Sequence, residues 1–130
     1  MSLRIPVLAA AAAVLAATLA ALTPSAASAD PGACQAYSPH VIWCVATWAP
    51  GKSVTVTERW AGSDLMTGST TLIGQPVWLD RSHDGGKTWE THLGQRTDGA
   101  TDALPRASGP QWRACVTDTD GADHCVDFAI

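Results

Sequence analysis

The chain reads as all-β: a small, disulfide-stapled antiparallel β-sandwich or partly open barrel containing an Asp-box hairpin. Three observations predict this class. Apolar residues beyond the N-terminal segment recur with a period of two, and no window shows the 3.6-residue period of a helix. Turn-forming Gly, Pro and Asp clusters separate these short runs. Four cysteines occur in 130 residues, two near each end of the part that would remain after processing.

The N-terminal segment is a targeting signal. Arg4 supplies one positive charge, an Ala- and Leu-rich run extends to Leu22, and small residues follow at Ser25 to Ala29. This is the pattern of a secretory signal peptide over residues 1–29, cleaved after Ala27-x-Ala29. A membrane anchor is the rival, since the run approaches bilayer length. Alanine partitions weakly into lipid, however, and the cleavage site follows directly. A single secreted domain, residues 30–130, is therefore expected in an extracellular, oxidising compartment, with no membrane attachment once the signal is gone. Losing Arg4 from the eight basic residues leaves seven against twelve acidic ones, with no basic stripe, which disfavours nucleic acid as a partner.

A domain of about 100 residues buries only about two-thirds of its unfolded surface, so covalent staples are expected. Cys34, Cys44, Cys115 and Cys125 can pair in three ways. Cys34–Cys44 with Cys115–Cys125 is favoured because each bond would close a local turn. The long-range alternative, Cys34–Cys125 with Cys44–Cys115, would stabilise more in a chain-entropy model, about 4 to 5 against roughly 2 to 3 kcal/mol, so energetics alone does not choose. No C-x-x-C pair suggests zinc.

Val41 to Trp48 is β-branched and aromatic and stops at Ala49-Pro50-Gly51-Lys52, a strand and its turn. Ser53 to Trp60 alternates: Val54, Val56, Glu58 and Trp60 share one face, taken as the inner one, and Thr55, Thr57 and Arg59 share the other. A weaker stretch punctuated at Gly62-Ser63-Asp64 and Gly68-Ser69 precedes Thr70 to Ile73 and the turn Gly74-Gln75-Pro76. Val77 to Ser82 and Thr88 to Leu93 form a hairpin around His83 to Lys87. Gly94 to Pro110 reads as a long loop, and loops of that length are usually functional or disordered. Gln111 to Thr117 and Asp123 to Ile130 make the last strand pair.

Within the hairpin, Ser82-His83-Asp84-Gly85-Gly86-Lys87-Thr88-Trp89 fits the Asp-box pattern S-x-D-x-G-x-T-W at every defined position, on Ser82, Asp84, Gly86, Thr88 and Trp89. The spacing has a local reason. Asp84 can accept from turn amides, Gly86 permits a backbone closed to other residues, and Trp89 can fold back as an apolar lid. The box is expected to be structural. Together, VWLDRS-x-DGG-x-TW at 77–89, Leu93-Gly94, Trp112-Arg113-Ala114-Cys115 and the downstream Cys125 resemble a non-catalytic module of actinobacterial secreted glycosyl hydrolases of the α-1,6-mannanase type. The similarity covers about half of the processed chain, and Val116 stands where that module commonly has glycine. It implies an accessory role and carries no activity with it.

Six tryptophans, Trp43, Trp48, Trp60, Trp78, Trp89 and Trp112, all fall on predicted strands. Core packing accounts for most, but Trp43 and Trp48 are an odd number of positions apart and so point to opposite faces of one strand. Trp43, Trp48 and Trp60 are therefore the candidates for an exposed aromatic platform of the kind that stacks on sugar rings. Asp118, Asp120 and Asp123 are weak calcium candidates: oxygen ligands alternate around a turn, but the closing bidentate Glu is missing, and a solvated turn explains them as well. No G-x-S-x-G or H-E-x-x-H occurs, Glu58 and Glu90 are the only glutamates, and His40, His83, His92 and His124 show no ligand spacing.

The expectation is a monomeric, non-enzymatic protein without cofactors that binds a polysaccharide or cell-wall glycan through aromatic side chains. The alternative is a protease inhibitor presenting the segment 98–110, with Leu104 to Ala107 as its contact.

Overall fold

The computed structural model describes residues 32–60 and 62–129, so the expected signal peptide and its cleavage site lie outside the described residues. Nine strands are described: β1 Ala33–Ser38, β2 Val41–Ala49, β3 Lys52–Trp60, β4 Asp64–Thr70, β5 Val77–Ser82, β6 Glu90–Arg96, β7 Leu104–Pro105, β8 Gln111–Thr117 and β9 Asp123–Asp127. They form two sheets, ordered β1-β2-β3-β4-β7 and β6-β5-β8-β9, in which every neighbouring pair is antiparallel. The two sheets remain separate and face one another, which decides for a sandwich over a barrel.

The core follows from the period-two pattern. Cys44 and Ala46 of β2, Val54 and Val56 of β3 and Met66 of β4 meet Val77 and Leu79 of β5, Trp112, Ala114 and Val116 of β8 and Val126 of β9, all buried. Gly68 lies on the same inner face. A Cβ there would stand 3.0 Å from the Ala114 Cβ and 3.1 Å from Thr101 Cγ2, so the glycine lets the sheets approach at this point.

The four-stranded sheet is covered on its outer side as well. Trp78 and Asp80 alternate with Val77 and Leu79 yet are also buried. His92, the one described non-glycine residue with a left-handed backbone (φ 60°), stacks on Trp78 at 4.3 Å, and the Trp89 ring lies 4.1 Å from the Arg113 guanidinium. Beneath these rings are the buried pair Arg113–Asp80 (2.8 Å) and the disulfide Cys115–Cys125.

Both disulfides join residues directly opposite each other on neighbouring strands, Cys34 to Cys44 in one sheet and Cys115 to Cys125 in the other. The local pairing is therefore the one formed.

Three sequence expectations need correction. Residues Ala33–Ser38, not read as a strand, form the edge strand β1. The weaker stretch, read as punctuated at Asp64 and Gly68, is itself the continuous strand β4, Asp64–Thr70. The segment 94–110 is not one long loop: β6 runs on to Arg96, and β7 pairs with β4 through Leu65↔Pro105 and Met66↔Leu104. Between them, Arg96 holds Asp98 and Asp102, and buried Thr101 accepts from the Gly68 N–H at 2.9 Å.

Candidate functional site

Because β2 alternates, Trp43 projects from the outer face of the five-stranded sheet, while Trp48 packs against the core. Trp43 does not stand alone. Tyr37 of β1, 76% exposed, stacks on it with ring centroids 5.4 Å apart and planes 25° from parallel. The register places Gln35 and Thr57 on either side of Trp43, and Thr55 shares their side of β3, alternating with buried Val54 and Val56. The face thus carries two large rings among an amide and hydroxyls, with apolar surface to stack on and polar groups to bond with at its edges.

Trp60 continues the inner-face parity of Val54 and Val56 but lies past the core and is 53% exposed, stacked on His40 at 5.5 Å. A backbone bond from the Trp60 N–H to the His40 carbonyl (2.9 Å) holds the two together. Trp60 is therefore an accessible ring on the opposite side of the sheet from Trp43.

Trp48 is committed elsewhere. Its ring lies parallel to His124 of β9, 4.0 Å away with planes 2° apart, and its Nε1–H donates to Asp118 Oδ2 at 3.0 Å. Lys52 of β3 completes the arrangement with Nζ 3.0 Å from Asp118 Oδ1. Lys52 and Trp48 together hold the Asp118 carboxyl well below the usual carboxylate range. Trp48 thus latches one sheet to the other and has one face and its N–H occupied.

The calcium candidates are each satisfied within the protein. Asp118 takes Lys52, Trp48 and the Thr119 N–H; Asp120 accepts from the Ala122 N–H at 2.9 Å; Asp123 accepts from Thr117 Oγ1 at 2.7 Å. Among the described residues, Asp80, Cys115 and Cys125 bring potential ligand atoms within 4.8 Å of one another. The sulfurs are disulfide-bonded and the carboxylate holds Arg113, a donor set that does not suit a metal.

The turn 82–89 is a closed hydrogen-bond system. Ser82 Oγ donates to Asp84 Oδ1 (2.8 Å) and accepts from the Gly86 N–H (2.8 Å), while the Thr88 N–H donates to Asp84 Oδ1 (2.9 Å) and its hydroxyl to Oδ2. Thr88 and Ser82 hold the Asp84 carboxyl well below its ordinary value. Gly86 has φ 88°, a region that favours glycine.

Glu90 bonds Arg81 and His83, and Glu58 bonds Arg106, so both glutamates are engaged by cations. Within Leu104 to Ala107, Leu104 packs against the core and Arg106 is held by Glu58 and by the Phe128 ring, 5.1 Å from its guanidinium. Pro105 and Ala107 of that segment are exposed. No family model, curated protein or solved structure matches the chain.

Sequence parity placed Trp43 and Trp48 on opposite faces of one strand without choosing between them. Tyr37, the partner of Trp43, was missed because Ala33–Ser38 carries no alternation to mark it as a strand.

Proposed function

We propose that this is a secreted, non-catalytic protein that binds an extracellular polysaccharide or cell-wall glycan on the outer face of its five-stranded sheet. The reading is carried by the Tyr37–Trp43 pair, an exposed tyrosine stacked on a half-buried tryptophan on a face that otherwise offers Gln35, Thr55 and Thr57. Sugar rings have apolar C–H faces and hydroxyl edges, so a ring platform bordered by amide and hydroxyl groups fits them. The signal-peptide pattern, the two disulfides and the resemblance to a hydrolase accessory module point the same way. In this reading the turn 82–89 is an Asp-box whose role is to hold the hairpin and the lid it places over Arg113, and Trp48 is structural.

The test is tryptophan fluorescence of the oxidised protein titrated with soluble mannans, chitin and cellulose fragments and peptidoglycan fragments, with pull-down on the insoluble polymers. Binding is expected to weaken about tenfold in Trp43→Ala and again in Tyr37→Ala, since each ring contributes on the order of 1 kcal/mol of stacking. Absence of binding to every polymer, or binding that the double substitution leaves unchanged, would refute the reading.

A further inference from the structure

A second aromatic site, away from the sheet-face platform, lies where β8 begins and β9 ends. Trp89, Gln111, Trp112, Asp127, Phe128 and Ala129 line a cleft of about 160 Å³. Three separate segments build it. Trp89 closes the 82–89 turn, Trp112 enters β8, and Phe128, just beyond β9, is set beside Trp112 by the bond from its N–H to the Trp112 carbonyl at 2.9 Å. The turn leans on the same wall: a Cβ on Gly86 would lie 3.1 Å from Gln111 Oε1.

The two polar side chains of the cleft, Asp127 and Gln111, form no side-chain hydrogen bond with any described residue. This sets Asp127 apart from Asp80, Asp84, Asp118, Glu58 and Glu90, each of which is bonded within the protein. Burial raises the Asp127 carboxyl above its ordinary value against the opposing charge of Arg113, its cross-strand neighbour. Asp127 and Gln111 are both exposed, so their polar groups are open to a ligand.

Charge on the rings narrows the class of ligand. Arg113 lies over Trp89, Arg81 over Trp112 at 5.5 Å and Arg106 over Phe128. Each arginine is itself neutralised by a carboxylate: Asp80, Glu90 and Glu58 respectively. All three rings therefore already give one π-face to a guanidinium, which leaves less of the ring quadrupole for a further cation. A neutral ring with C–H faces needs no charge attraction to the wall it stacks on, and its hydroxyls suit a carboxylate that accepts and an amide that both donates and accepts.

We propose that this cleft binds a single neutral pyranose unit, stacked on the half-buried Trp89 and Phe128 rings and bonded through its hydroxyls to Asp127 and Gln111. The inference shares a ligand class with the glycan-binding reading but not its site. Its test is a ¹H–¹⁵N correlation spectrum of the six indole N–H groups of the oxidised protein, titrated separately with methyl α-D-mannopyranoside, methyl β-D-glucopyranoside, N-acetylglucosamine and tetramethylammonium chloride. At least one sugar is expected to shift the Trp89 and Trp112 signals saturably, at concentrations on the order of 1–100 mM as suits one small ring. Asp127→Asn and Gln111→Ala, both at exposed residues, should each weaken that response about fivefold, while Trp43→Ala leaves it intact.

Three results would overturn the assignment: no saturable shift with any sugar, a response to tetramethylammonium alone, or sugar shifts that neither cleft substitution alters. Failure here with polymer binding that is still lost in Trp43→Ala would leave the platform reading standing. Loss of polymer binding with intact cleft shifts would do the reverse.

Discussion

Trp48 shows how much one side chain can be asked to do. It contributes apolar area to the core, stacks on His124 and donates to Asp118, so its indole links β2 to β9 and to the turn before it. Trp48→Phe keeps the ring and deletes the donor. It is expected to cost on the order of 1–3 kcal/mol, as for a hydrogen bond to a charged acceptor, measured by urea denaturation at neutral pH. The same cluster sets an acid limit. Asp118 and Asp84 both titrate below the ordinary carboxylate range in the folded protein. A carboxyl whose folded value lies below its unfolded one contributes stability above the unfolded value, near 3.9, and that contribution is lost as pH falls below it. The urea midpoint should therefore hold from pH 7 to about 4 and fall steeply below, and Asp118→Asn should be less stable at neutral pH but lose less on acidification. An acid branch equal in slope to the wild type would show that Asp118 does not carry it.

At the scale of elements, β2, β3, β5, β8 and β9 were legible in the sequence because each repeats with period two over at least five residues, or forms a continuous apolar run bounded by turns. The strands that escaped notice share a physical reason. β1 is a mostly exposed edge with no buried residue, whose place comes from pairing with β2 and not from burial of its own. β7 has two residues and exists only because Met66 and Leu65 of β4 give it partners. β4 carries Gly68, which reads as a turn signal but leaves the room that Ala114 of the facing sheet occupies. Gly68→Ala tests that account. The added methyl must displace Ala114 or Thr101, with an expected cost of about 1–3 kcal/mol from overpacking. An unchanged thermal midpoint would mean that the sheets give way freely here. The platform was half legible for the same reason: the parity of Trp43 could be read from its own strand, whereas Tyr37 required a strand that had no pattern. The cleft at Trp89, Trp112 and Phe128 could not be read at all, since it depends on the register of β8 with β9 and on where the 82–89 turn folds back.

For the molecule as a whole, each covalent staple lies inside one sheet, near one end of the described chain, and none crosses between sheets. The consequence is mechanical. Pulled by its two ends, the oxidised protein passes force through Cys34–Cys44 and Cys115–Cys125, which shield the residues within those two loops from extension. What separates first is the noncovalent contact between sheets, with the Trp48–Asp118–Lys52 latch among its parts. The roughly 70 residues from Val45 to Ala114 then extend to about 230–250 Å at 3.3–3.6 Å each. Under reducing conditions the loop residues should add to that length. A single-molecule trace with the same extension in both conditions would mean that the staples carry no load, whereas a shorter oxidised trace would describe a protein whose chain ends stay armoured while its middle yields.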